Sequence, residues 1–204
     1  MPASATPAEA DGRGHWAAGW WSGARRVESP NRGPRPAGTA VTLVILHSIS
    51  LPPGVYGGDA IERFFTNRLD CSAHPYFERL RGAQVSAHFV LRRDGTWLQF
   101  VSCDERAWHA GRSSWRGVDQ CNDCSVGIEL EGLEGESFED AQYHALRPLL
   151  KELARRYPVR DIVGHEHVAP GRKHDPGPGF DWVRLVRGWR GARPRLPAVD
   201  GFEA

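Results

Sequence analysis

The stretch "GHEHVAPGRKHDPGP", residues 164–178, gathers His165, Glu166, His167, Lys173, His174 and Asp175 within eleven residues. Its prolines and glycines favour irregular backbone, as in loops that build sites. Imidazole and carboxylate donors at this density suit a divalent cation. Zinc in particular takes three protein ligands from His, Asp, Glu or Cys and keeps a fourth position for water. Another histidine, His47, ends the apolar run "VTLVILH". A buried ring there must satisfy both nitrogens, either by hydrogen bonds in a core or as part of a site. His47 with two groups from the 165–175 segment would complete a set of three ligands. Spacing does not choose among His165, His167 and His174, and each reads equally well as a surface imidazole.

Known linear motifs do not explain the cluster. H-E-x-x-H fails because Ala169 stands where the second histidine should be. The deaminase pattern fails because Gln120 precedes Cys121 and the cysteines come before the histidines. Neither a G-x-S-x-G elbow nor a phosphate-binding G-x4-G-K-[ST] loop is present. Cys121 and Cys124 form a C-x2-C, but Cys71 and Cys103 stand alone, so all four are read as reduced thiols. A site with these donors must be assembled from separate elements.

The elements that would position them are legible in outline. Val41 to His47 is β-branched and apolar throughout, which predicts an interior strand covered on both faces. Pro52, Pro53, Gly54, Gly57 and Gly58 predict a loop, with short helices in "AIERFFTNRL" and "HPYFERL" beyond it. "VSAHFVLRRDGTWLQFVS" predicts a hairpin turning at Asp94-Gly95. "CSVGIELEG" predicts another strand, placing Ser125, Gly127, Glu129 and Glu131 on one side at period two. Ser137 with Asp140 predicts a capping box for a helix from Phe138 to Arg156, striped by Leu146, Leu149, Leu150, Leu153 and Tyr157 and bent or delayed by Pro148. A last short helix follows in "DWVRLVRGW". The mixture without strict βαβ alternation predicts one α/β (mixed α+β) domain, a central mixed sheet flanked by helices. Its expected limits are residues 19–190, between a disordered extension at 1–18 and a loose tail at 191–204.

With 204 residues, 40% apolar and 25% charged, the chain suits one soluble domain. Its 26 basic and 25 acidic residues leave a net charge of +1, which gives no reason to expect nucleic acid or an anionic membrane as partner. The first residues lack a basic region followed by an apolar one, and no apolar stretch approaches membrane-spanning length, so a cytoplasmic location is expected; a monomer is expected separately, with no sequence feature behind it.

"LHSISLPPG", "SAHFVLRRDG", "RAWHAG", "CSVGIELEG" and "GHEHVAPGRKHDPGP" occur in this order. Together they resemble the zinc-dependent N-acetylmuramoyl-L-alanine amidases, specifically the cytoplasmic members that cleave 1,6-anhydro-muropeptides. The resemblance runs from "GWWSGARRV" to "FDWVRL". It implies a mixed sheet with flanking helices, shared with peptidoglycan recognition proteins and bacteriophage T7 lysozyme. It implies one Zn2+ held by His47, His165 and Asp175, with His167 and His174 at positions the family does not use. Glu129 falls on a catalytic glutamate and Lys173 on a catalytic lysine, as general base and oxyanion partner respectively. The implied reaction is hydrolysis of the amide between 1,6-anhydro-N-acetylmuramic acid and L-alanine during peptidoglycan recycling. Removing those fragments would also lower the signal that induces β-lactamase.

Trp108 is the candidate platform for the sugar ring, with Ser48 beside the metal motif; Trp97 and Trp115 read as packing, and His88 as a core or supporting histidine. Ser48, Gln84 and Gln120 stand where relatives commonly carry asparagine, arginine and arginine. Losing two cations should weaken attraction to an acidic stem peptide unless Arg81, Arg112 or Arg116 compensates. Two other readings are a muropeptide receptor without turnover, which ligand retention disfavours, and a periplasmic amidase with the same chemistry.

Overall fold

The computed structural model describes residues 15–197. Along the chain come β1 (Trp16–Ala17), β2 (Trp20–Trp21), β3 (Arg25–Arg26), β4 (Arg32–Gly33) and β5 (Leu43–Ile49). Helices α1 (Ala60–Phe65) and α2 (Pro75–Glu78) precede β6 (Phe89–Leu91), β7 (Trp97–Gln99), β8 (Arg106–Ala107), β9 (Ser114–Trp115) and β10 (Val118–Asp119). Then follow β11 (Ser125–Glu131), α3 (Asp140–Arg156), β12 (Asp161–Gly164), α4 (His165–Val168) and α5 (Trp182–Val186).

One six-stranded sheet, ordered β12-β5-β11-β6-β7-β3, carries the fold. The four strands from β12 to β6 run parallel, and β6 and β7 form the expected antiparallel hairpin. Its turn places Gly95 at φ 89°, a conformation glycine adopts without steric penalty. The expected architecture, a mixed sheet flanked by helices, is therefore the one the chain forms.

Alternation along the central strands separates two jobs. Val44 and Leu46 of β5 join Val126, Ile128 and Leu130 of β11 in a core packed beneath α3 and α5. Leu146, Leu149, Leu150 and Leu153 supply the buried stripe of α3, at the spacing of one helical face. The opposite face of β5 begins with Leu43 and Ile45, packed on Ala110, Cys121, Val163 and Val168, and continues to His47. A third cluster, which includes Ile61, Phe65, Phe77, Val90 and Phe100, covers the neighbouring part of the sheet.

Several expectations shift. The helix capping box is made by Glu139 and Gln142, not Ser137 and Asp140: Gln142 Oε1 accepts the Glu139 N–H at 3.0 Å. Gln142 is also buried, and its amide donates to Leu91 O and Glu131 O, so tertiary contacts select the register of the cap. Pro148 lies inside α3, which continues to Arg156. The fold also starts before residue 19, because β1 pairs with β2 and Trp16 packs edge-on against Tyr157. An aromatic anchor outweighs the Ala/Pro/Gly composition around it. Beyond residue 190, Arg195 forms a two-pronged ion pair with Asp161 at 2.8 Å. The rest of the expected extension, 1–14, and of the expected tail, 198–204, lie outside the described residues.

Candidate metal centre and active-site cleft

Strand register builds the centre. Glu129 of β11 pairs with His47 of β5, while Gly164 of β12 pairs with Leu46. The residue after Gly164 is His165, so His165, His47 and Glu129 occupy one transverse row near the carboxyl ends of three parallel strands. This is where open α/β sheets commonly bind ligands. Asp175 arrives from the following loop, which is tied back by the Glu166 N–H to Asp175 O bond at 3.0 Å.

His47 Nδ1 lies 3.0 Å from His165 Nδ1, and each nitrogen lies 3.1 Å from Asp175 Oδ2. Tetrahedral zinc with nitrogen and oxygen ligands at about 2.0–2.1 Å separates its ligands by about 3.3 Å, so a cation fits this triangle. The donor chemistry suits one as well. His165 Nε2 faces Ala110 O at 3.1 Å, and a carbonyl only accepts. With a cation bound, the ring hydrogen of neutral His165 therefore sits on Nε2, leaving a bare Nδ1 lone pair directed at a carboxylate oxygen. A shared cation turns that repulsion into attraction. Burial pushes the His47 imidazole down to about 4, reinforced by His165, so it is neutral and available as a ligand near neutrality. For Asp175, burial opposes ionisation, but in the metal-free centre hydrogen bonds donated by the Nδ1–H groups of His165 and His47 more than offset it and hold the carboxyl well below the usual range.

An outer ring braces these groups. His47 Nε2 meets His109 Nδ1 at 3.0 Å, and His109 Nε2 meets Ser125 Oγ at 3.2 Å. The backbone N–H groups of His109 and Ala110 both donate to Asn122 Oδ1, at 3.1 and 2.8 Å. Burial, with His47, His88, His165 and Arg35 nearby, holds the His109 imidazole well below its ordinary pKa. Sequence reasoning passed over His109 and Asn122. The available signal was Gly127, a glycine inside a strand, which marks a close approach by another group.

In front of the triad lies a cleft of about 350 Å³, lined among others by Ser48, Tyr76, Trp108, Glu129 and Lys173. Every sequence-predicted site residue thus touches this cleft or the triad. Glu129 is 9% exposed, and burial raises its carboxyl well above the usual range; Asp175 adds to the rise and Lys173 opposes it. Trp108 and Ser48 are half-buried at the wall.

The remaining histidines have other places. His88 is buried; its Nδ1 accepts the Gly127 N–H at 3.0 Å and its Nε2 faces Glu105 O at 3.1 Å. His167 Nδ1 accepts the Gly164 N–H at 3.0 Å, closing the start of α4, and His174 is exposed. Among the described residues, His47, His165 and Asp175 form the single group of donors close enough to share a metal. All four cysteines are free. Trp97 sits in the main core and Trp115 packs beside Cys121. Of the arginines considered for peptide recognition, Arg81 is paired with Glu78 at 2.6 Å and Arg116 lies 3.4 Å from Asp161.

Residues 37–178 match the N-acetylmuramoyl-L-alanine amidase family. The 1,6-anhydro-N-acetylmuramyl-L-alanine amidase AmpD of Citrobacter freundii is 49% identical over 169 residues, covering 82% of this chain and 90% of the relative. A crystal structure of a Se-Met AmpD derivative aligns with TM-score 0.81 at 47% identity, covering 84% of this chain and 97% of that one. The amidase AmiD from Escherichia coli, solved with anhydro-N-acetylmuramic acid-L-Ala-D-gamma-Glu-L-Lys as substrate, aligns with TM-score 0.55 at 31% identity, covering 79% of this chain and 63% of that one. With the match spanning the β5 strand, the cleft and the loop that carries Asp175, the chain belongs to the N-acetylmuramoyl-L-alanine amidase family.

Proposed function

We propose that this chain is a zinc-dependent amidase that hydrolyses the amide between 1,6-anhydro-N-acetylmuramic acid and L-alanine in muropeptides released during peptidoglycan recycling. The observation that carries the reading is the convergence of His47, His165 and Asp175 beside Glu129 in one cleft. The amide named for AmpD, together with the AmiD complex with an anhydromuropeptide, supports the choice of bond.

His47, His165 and Asp175 would hold the zinc, which supplies Lewis acidity and makes hydroxide available near neutral pH. Glu129 orients the attacking water and takes its proton. A carboxyl with a raised pKa suits that step and the next, in which Glu129 returns the proton to the departing L-alanine nitrogen as the carbon–nitrogen bond breaks. Lys173, at the cleft wall, offers positive charge to the oxygen of the lactyl carbonyl as it becomes anionic. Trp108 presents an indole to the apolar face of the sugar, and Ser48 a hydroxyl beside it. The proposed enzyme is a monomer. Four free cysteines fit a reducing cytoplasm, where removal of such fragments would lower a β-lactamase-inducing signal. Among the described residues no helix is long and apolar enough to cross a membrane.

The test is purified zinc-loaded protein with anhydromuramoyl-tripeptide. Release of free tripeptide, abolished by a chelator and restored by zinc, is the expected result. An intact substrate overturns the reading, and tight binding without turnover would make the chain a receptor. Turnover that chelation leaves unchanged would overturn the metal assignment.

A further inference from the structure

We infer that His109 is a positioning residue for the metal centre: it accepts the Nε2–H of His47 and thereby fixes the tautomer and ring plane in which His47 presents Nδ1 to a cation. The inference rests on the zinc reading of His47, His165 and Asp175, and adds to it a group that does not touch the metal.

The polarity of the relay follows from its inner end. If His47 Nδ1 is a ligand, the ring hydrogen must be on Nε2, and His109 Nδ1 is the acceptor 3.0 Å away. His109 then carries its own hydrogen on Nε2 and donates it to Ser125 Oγ at 3.2 Å. Ligand imidazoles commonly give their second N–H to such an acceptor, which orients the ring and raises its basicity.

The surroundings hold His109 in place for this task. Asn122 Oδ1 grips the N–H of residue 109 and the N–H of residue 110, and Ala110 O accepts from the other ligand imidazole, His165 Nε2, at 3.1 Å. Two consecutive residues on one braced segment therefore serve both histidine ligands. Arg35 Nη1 in turn donates to Asn122 O at 3.2 Å. Opposite the ring, β11 makes room: a Cβ on Gly127 would lie 2.4 Å from His109 Cγ and 2.5 Å from Nδ1. Any side chain there would displace the ring from His47.

A space-filling role for His109 makes the opposite prediction about which substitutions matter. His109→Phe keeps a ring over Gly127 but removes the acceptor. His109→Asn loses volume but can place its amide oxygen near the former Nδ1. The experiment measures zinc affinity of the full chain by competition with a chromophoric chelator, and the visible absorption of the cobalt-loaded protein. His109→Phe should weaken zinc by about 10–100-fold and alter the cobalt spectrum, the range typical of lost outer-shell partners. His109→Asn should recover most of the affinity. Wild-type affinity in His109→Phe, or a larger loss in His109→Asn than in His109→Phe, overturns the positioning role and leaves the metal reading intact. Failure of the wild-type chain to take up zinc, or uptake unchanged in Asp175→Ala, overturns both. Should His109→Phe not fold, as judged by circular dichroism, Ser125→Ala decides: a several-fold loss of affinity supports the relay, and no change overturns it.

Discussion

Glu129 and Asp175 are both acidic side chains beside one cleft, yet their surroundings move them in opposite directions. Burial raises the Glu129 carboxyl, while the two nearby imidazoles lower that of Asp175. Their substitutions should separate accordingly. Glu129→Gln preserves shape but cannot accept a proton, so kcat should fall by about 10²–10⁴-fold. Zinc content should stay near that of the wild type, as steady-state hydrolysis beside metal analysis will check. Asp175→Ala should lose both zinc and turnover.

Buried imidazoles, His88 and His47 as well as His109, also set a pH dependence for the metal-free protein. Burial, with Arg35 beside it, pushes His88 down to about 3, and burial with His165 pushes His47 down to about 4. Each binds its proton more weakly folded than unfolded, where the pKa is about 6.5. Their contribution to stability is therefore present above about 6.5 and lost as pH falls towards the folded values, at about 1.4 kcal/mol per pH unit per histidine. Urea titrations of chelated protein at pH 7 and pH 5 should show the loss, with a shallower slope in His88→Gln. Residue types exposed the donors in the sequence, and motif resemblance chose among His165, His167 and His174. Neither exposed His109, because its partners Asn122, Ser125 and Gly127 lie on other segments and meet it only through the fold.

At the scale of elements, the strands predicted in 41–47 and 124–132, observed at Leu43–Ile49 and Ser125–Glu131, and the leucine stripe of α3 were legible because apolar runs and periodicity survive in any context. Strand β12 was not: Asp161–Gly164 has only four residues, nothing in the sequence predicts a strand there, and its identity comes from pairing with β5. The cap of α3 was misread for a related reason, since Gln142 is fixed by carbonyls on β6 and β11. Gln142→Ala should leave those buried acceptors short of a donor and lower stability by about 1–3 kcal/mol in a urea melt, with zinc uptake unchanged. The loop after β5 is likewise secured from afar. Arg92 donates to Glu131 at 2.8 Å and to Gly58 O at 2.9 Å, and Glu131 accepts the Gly57 N–H at 2.7 Å. Arg92→Met would leave Glu131 buried without its cation, at a cost of about 3–5 kcal/mol, and should release residues 57–58 to faster amide exchange.

Across the whole molecule, metal binding and folding are linked, because the three donors meet only in the native sheet. Zinc at 100 times its dissociation constant should therefore add about 2.7 kcal/mol of stability. A zinc titration followed by thermal melting should show a rising midpoint in the wild type and a flat one in Asp175→Ala. Local patterns in the chain could not reveal this linkage, since they do not specify which strands become neighbours.

The transverse row across β12, β5 and β11 also bears on synthesis. Its first imidazole is translated early, but its second and the carboxylate belong to β12's far end and the loop beyond. A nascent chain halted before residue 165 lacks two of the three donors, so on the zinc reading aborted translation products are inert, and only a copy read through its final strand and the loop beyond can assemble the set.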